Sequence, residues 1–137
     1  MRAFLVICFF SVAATVLTSC SEQDLEYKRA YTNGSLVYQQ HCQNCHGNDG
    51  EGLSALIPPL TDSIYYKKNS AQLACLIKNG SSGLMIVGDK AYTDKMPPSG
   101  LAPIEISQVL TYIRNSFGNK HGIVSVDEVN KDLEGCN

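Results

Sequence analysis

The chain is predicted to be an all-α domain, and three observations carry that prediction. Apolar residues Ile106, Val109, Leu110, Ile113 and Phe117 recur at helical spacing. A second run, Leu73, Leu76 and Ile77, keeps one face and meets a terminating glycine at Gly80. Nowhere does an apolar/polar alternation last long enough to build a sheet, and no internal repeat is present. At 137 residues there is room for one domain. Hydrophobic residues make up 44% and charged residues 18%, which is ordinary for a globular protein. The 11 basic and 13 acidic side chains nearly balance, leaving a net charge of −2. Such a chain lacks the clustered basic surface of a nucleic-acid binder, so nucleic acid is excluded as a partner class.

At the start of the chain, Arg2 and the apolar run Ala3 to Leu17 have the build of an export signal, too short for a permanent span and without a polar face. The run ends in Leu17-Thr18-Ser19-Cys20, which resembles the lipobox of bacterial lipoproteins. That resemblance implies residues 1–19 as a signal peptide, Cys20 as the lipidated N-terminus, and a membrane anchor; cleavage near Ser19 with a free product is the competing outcome. Residues 20–32 then form a polar tether and 33–137 the folded domain. Ser35 to His46 reads as a helix capped by Ser35, with Asn33-Gly34 as a turn before it. Three glycines between Gly47 and Gly52 make a loop, and Ile57-Pro58-Pro59-Leu60 is extended or turning. Asp62 or Ser63 starts a short helix through Tyr66, and Ser70 to Asn79 forms the next. Ser81 to Pro98 is read as loop. The last helix starts near Pro103 and ends at Gly118, and the polar tail beyond it packs back through Val124, Val126 and Val129.

Cys42-Gln43-Asn44-Cys45-His46 carries the chemistry. The spacing C-x-x-C-H is the attachment signature of a c-type haem: two thiols one helical turn apart each add to a porphyrin vinyl group, and the adjacent imidazole meets the iron. A thioredoxin-like pair would need a βαβ setting, which is missing. A zinc site would need a second ligand pair, and Cys75 and Cys136 stand alone.

With Tyr38 to Gly47, Lys95-Met96-Pro97-Pro98 and Leu101 to Asn119, the chain resembles the class I (mitochondrial-type) mono-haem cytochromes c over roughly residues 33–119. The resemblance implies a small helical domain packed around one haem c, linked through Cys42 and Cys45 and ligated by His46 and Met96. It also places Pro58, or Pro59 beside it, as the carbonyl that accepts the second His46 ring N–H. Separately, Met96 lies in a loop beside two prolines, whereas Met85 sits in an apolar stretch where methionine fills space. Met85, His41 and His121 remain the other candidate ligands. Tyr65 and Tyr92 are candidates for the haem propionates or for core packing, and Lys67, Lys68, Lys78 and Lys95 for a cationic haem edge or a merely solvated face.

Cysteine counting leaves Cys75 and Cys136 over, and in an oxidising compartment a left-over pair reads as a disulfide; two buried thiols are the alternative. Such a bond would close a loop of about sixty residues, worth roughly 4 kcal/mol in the chain-entropy picture. The function implied is a single-electron carrier and not an enzyme, on the periplasmic or outer side of a bacterial membrane, exchanging electrons with redox partner proteins. A haem-based enzyme subunit or gas sensor with a displaceable distal ligand is the alternative.

Overall fold

The computed structural model describes the backbone of residues 2–136 and the side chains of residues 22–136. The expected processing site after Ser19 and the acylated Cys20 lie outside the residues whose side chains are described. Among the described residues six helices and one small hairpin succeed one another: α1 Arg2–His41, α2 Gln43–His46, α3 Ser63–Lys68, α4 Ser70–Asn79, β1 Met85–Val87, β2 Lys90–Tyr92, α5 Pro103–Ile113 and α6 Val126–Glu134. Two three-residue strands do not change the class. It is all-α. Among the described residues no helix is long and apolar enough to cross a membrane.

The helix preceding the C-x-x-C-H turn does not begin at Ser35. It runs unbroken through the stretch expected as a tether and through Asn33-Gly34, expected as a turn. No proline interrupts it, and Asp24/Lys28 and Glu26/Arg29 stand at helix-favouring spacings. Gly34 is there for packing. A Cβ on it would lie 2.0 Å from the backbone oxygen of Gln108 on α5, so only glycine lets the two helices approach this closely. Around that contact Tyr112 meets Tyr31 and Tyr38 at ring-centroid distances of 5.1 and 5.3 Å. The Tyr31 hydroxyl lies 3.0 Å from Ser116 Oγ. Packing of α1 therefore already begins at Tyr31.

α5 starts as expected, with Pro103 in its first turn and the Glu105 carboxylate accepting from the Ala102 N–H at 2.8 Å. Ile106, Val109, Leu110 and Ile113 are buried. The helix stops a turn before Phe117 because Asn115 competes for its backbone: Asn115 Nδ2 donates to the Thr111 carbonyl at 2.7 Å and to Gly122 at 2.8 Å. Phe117 then takes φ 56° and lays its ring 5.4 Å from that of Tyr38.

The tail is a helix rather than an irregular return. Ser125 Oγ accepts from the Glu128 N–H at 3.0 Å, and Val129 is fully buried. Buried Thr111 Oγ1 donates to Ser107 at 2.8 Å and accepts from the Val124 N–H at 3.0 Å, pinning the chain entering α6 onto α5. The β1–β2 hairpin occupies part of the expected loop, with Met85 opposite Tyr92 and Val87 opposite Lys90. Its two-residue turn, Gly88-Asp89, is of a kind that suits a tight hairpin. Gly34→Ala is expected to destabilise the protein by about 1–3 kcal/mol through overpacking; chemical denaturation of the two proteins measures the difference.

Candidate haem site

Cys42 ends the long helix and α2 adds one further turn. Cys42 N–H still bonds to Tyr38 at 2.9 Å, and His46 N–H bonds to the Cys42 carbonyl at 3.0 Å. Cys42, Cys45 and His46 thus stand at i, i+3 and i+4 on one helical face. Tyr38, 1% exposed, closes the turn from beneath by donating from its hydroxyl to Gly47 at 2.7 Å. The pattern Tyr38-x-x-x-Cys42 places the tyrosine on the same face, a signal that points to this supporting role.

The loop after α2 folds back on itself. Gly52 N–H donates to the His46 carbonyl at 2.9 Å, and Leu53 pairs with Ile57. This brings the Pro58 carbonyl 3.2 Å from His46 Nδ1. A carbonyl only accepts, so Nδ1 carries the proton and Nε2 keeps its lone pair. Burial lowers the imidazole pKa, outweighing the opposite pull of the Pro58 bond, and so favours the neutral form a metal ligand needs. Beyond Pro59, the Leu60 carbonyl accepts from Tyr66 Oη at 2.7 Å and Asn119 Nδ2 at 2.9 Å, which fastens this loop to α3 and to the chain after α5. Asp62, the expected cap, accepts from the Ile64 and Tyr65 N–H groups.

These elements surround a partly open cavity of about 280 Å³. Cys42, Cys45, His46 and Pro58 form one side of its wall, and Met96 with Pro97 and Pro98 also lines it. α4 adds Leu73, Leu76 and Ile77; the hairpin adds Met85, Val87 and Tyr92; α3 adds Tyr65 and Tyr66. Of the other candidate ligands, Met85 and His41 line the cavity and His121 does not. Pro59 also lines it, but the bond to His46 comes from Pro58. Lys95 reaches the wall, Lys67 and Lys68 are exposed, and Lys78 is committed elsewhere, donating to Leu101 at 2.8 Å. Cys75 and Cys136 are joined in a disulfide between α4 and the end of α6, outside the cavity.

Electrostatics separate the chemistries that C-x-x-C can serve. A redox-active cysteine has its thiol pKa depressed. Cys42 shows the reverse: burial, then the neighbouring Cys45, push it up to about 11. Among the described residues no three His, Cys, Asp or Glu side chains group to hold a metal ion. The residues suit a haem instead: two unbonded cysteines one turn apart, an imidazole oriented by a carbonyl, and an apolar cavity beside them.

Helical fold and C-x-x-C-H turn together define the class of c-type haem domains. The cytochrome c family model matches residues 31–117. The chain is 31% identical over 103 residues to the cytochrome c subunit of a quinone alcohol dehydrogenase from Gluconacetobacter polyoxogenes, covering 72% of this chain and 22% of that protein. It is 28% identical over 103 residues to the corresponding subunit from Gluconobacter oxydans, covering 72% and 21%. Against subunit CcoP of a cbb3-type cytochrome c oxidase from Rhodobacter capsulatus it is 31% identical over 91 residues, covering 65% and 30%. The chain therefore spans under a third of the length of these relatives. It belongs to the cytochrome c family, a family of electron-transfer proteins, and membership implies a covalently bound haem c.

A Cβ on Gly52 would lie 2.3 Å from the Ile57 carbonyl oxygen and 2.8 Å from that of Pro58, at a φ of +68°. Gly52→Ala is expected to displace the Pro58 carbonyl, releasing His46 and lowering metal-ligand affinity by roughly 10–100-fold, the usual cost of losing such an orienting bond. The pH at which the ferric Soret band reports loss of the native histidine should accordingly rise in the variant.

Proposed function

We propose that the protein is a mono-haem, single-electron carrier working on the periplasmic or outer side of a bacterial membrane. Cys42 and Cys45 supply the two thioether links, His46 Nε2 the proximal ligand and the Met96 thioether the distal one. Pro58 orients His46. The observation that carries this is the presence of all five residues in the wall of one apolar cavity. Haem c, when bound, would supply a one-electron iron couple, and His46 and Met96 would be the side chains that hold its iron. Ligation by Met96 together with His46 would raise the reduction potential. The apolar wall from α4 and the hairpin keeps water from the iron, which acts in the same direction.

Residues 1–19 are proposed as a signal removed on export and Cys20 as the acylated anchor, with residues 20–32 as a helical spacer carrying the domain. Cys75 and Cys136 make the disulfide that an oxidising compartment permits. Partner proteins are membrane oxidoreductases or their carriers. The relatives are named as the cytochrome c subunit of a quinone alcohol dehydrogenase and as a subunit of a cbb3-type cytochrome c oxidase, and a role as a subunit or shuttle of such a complex is drawn by analogy.

After expression in a host that attaches haem c, denaturing gels stained for haem should show a band that Cys42→Ala/Cys45→Ala abolishes. Met96→Ala is expected to lower the reduction potential by on the order of 0.1 V, within the roughly 0.8 V over which axial ligands set haem potentials, and to admit cyanide to the ferric protein. A native protein that takes up cyanide as fast as the variant is a sensor or enzyme site instead.

A further inference from the structure

The segment carrying Met96 has few attachments, and they converge on one helix. Met96 and Ser81 exchange two backbone bonds of 2.9 and 3.0 Å, and Ser99 N–H donates to the Ile77 carbonyl at 3.2 Å. Just beyond, Lys78 Nζ donates to Leu101 at 2.8 Å. Among the described residues, every hydrogen bond leaving residues 93–101 goes to residues 77–81, the end of α4 and the turn after it.

α4 is held from its other side. Leu73 and Ile77 face the cavity, and Cys75, two positions from each, lies on the opposite face of the helix. There it is bonded to Cys136, with the two Cα atoms 5.5 Å apart. α6 packs against both α4 and α5, but its nine residues include only one buried side chain, Val129. That is thin apolar support for a helix too short to persist alone. Half-buried Leu133 adds to this packing, and the disulfide is the covalent tie between α6 and α4.

We infer that the Cys75–Cys136 disulfide is a redox-sensitive strap that sets how firmly the Met96 segment is held over the haem. The role presupposes Met96 as the distal ligand. With the bond closed, α6 and α4 form one body and the segment hooked to residues 77–81 is fixed. A dithiol reductant opens it: the donor gives two electrons and two protons, the S–S bond breaks to two thiols, and the donor leaves as its own disulfide. Both cysteines are partly exposed, so such a donor has access. Opening frees the end of α6, loosens α4 and lets an external ligand compete with the Met96 thioether. Cys75 and Cys136 are thus positioning residues for a ligand they do not touch.

The test uses haem-loaded protein in two preparations. In one, the disulfide is reduced with dithiothreitol, capped with N-ethylmaleimide, and the haem re-oxidised with ferricyanide. The other is the Cys75→Ser/Cys136→Ser variant; should it fail to fold, the capped protein decides. Ferric spectra are followed during imidazole titration. Opening the bond is expected to weaken the far-red absorption of thioether-ligated ferric haem and to raise imidazole affinity by about tenfold, the equivalent of about 1.4 kcal/mol. Re-forming the disulfide in an uncapped sample should reverse both changes. If the folded preparations keep the native band and imidazole affinity while melting at a lower temperature, the bond is a staple only and the strap is refuted. If native protein lacks the band and Met96→Ala leaves imidazole affinity unchanged, Met96 is not the ligand and the strap falls with it.

Discussion

The close approach of α1 to α5 at Gly34 is the constraint on which the rest of the molecule depends. With a backbone oxygen of Gln108 where a Cβ would stand, the two helices are fixed in register as well as in distance. That register stacks Tyr31, Tyr112, Tyr38 and Phe117 in sequence, and Tyr38 in turn carries the turn that begins at Cys42. A shift of one residue in α1 would rotate the next turn by about 100°. The two cysteines and His46 would then leave the cavity wall together. A contact two helical turns away from the chemistry therefore determines which way the chemistry points.

From that turn the structure suppresses one reactivity and favours another. Burial keeps the Cys42 thiol protonated, which makes it a poor nucleophile for disulfide exchange. Burial also keeps His46 neutral, and the Pro58 carbonyl fixes its tautomer. The same desolvation works in both cases by disfavouring charge. It holds the Cys42 thiol in its protonated form and favours the neutral imidazole of His46.

Local signals in the sequence locate the chemistry and most helices, while long-range packing decides the places where they mislead. α4 is legible to its ends, from Ser70 to the turn at Gly80, because its apolar spacing and its terminator agree. The C-x-x-C-H turn is legible because its meaning is local. Asn33-Gly34 reads falsely as a turn because the reason for the glycine is a neighbour more than seventy residues away in sequence. Asn115 ends α5 early through a side-chain bond that periodicity does not register. The helix α6 does leave a signature, Ser125-Val126-Asp127-Glu128, a serine cap with glutamate three residues on, masked by the polar residues after it. The hairpin is too short for alternation to show, although Met85, Val87 and Tyr92 turn to the cavity while Ile86 stays exposed, as the pleat demands.

The two sides of the cavity are built on different principles. On one side His46 belongs to a helical turn that follows α1 directly, and the loop beneath it is fastened by bonds from Gly52, Tyr66 and Asn119. Helix packing and local hydrogen bonds hold Cys42, Cys45 and His46 there, since the three share one turn. On the other side Met96 sits in a segment outside the helices and the hairpin, hung from the end of a ten-residue helix. Its position is therefore only as firm as that of α4, and α4 has the cavity on one face. The packing of α4 on α5 is completed on the opposite face by α6 and the disulfide. The tail after α5 thus backs the helix that walls the cavity, although neither α6 nor Cys136 lines it.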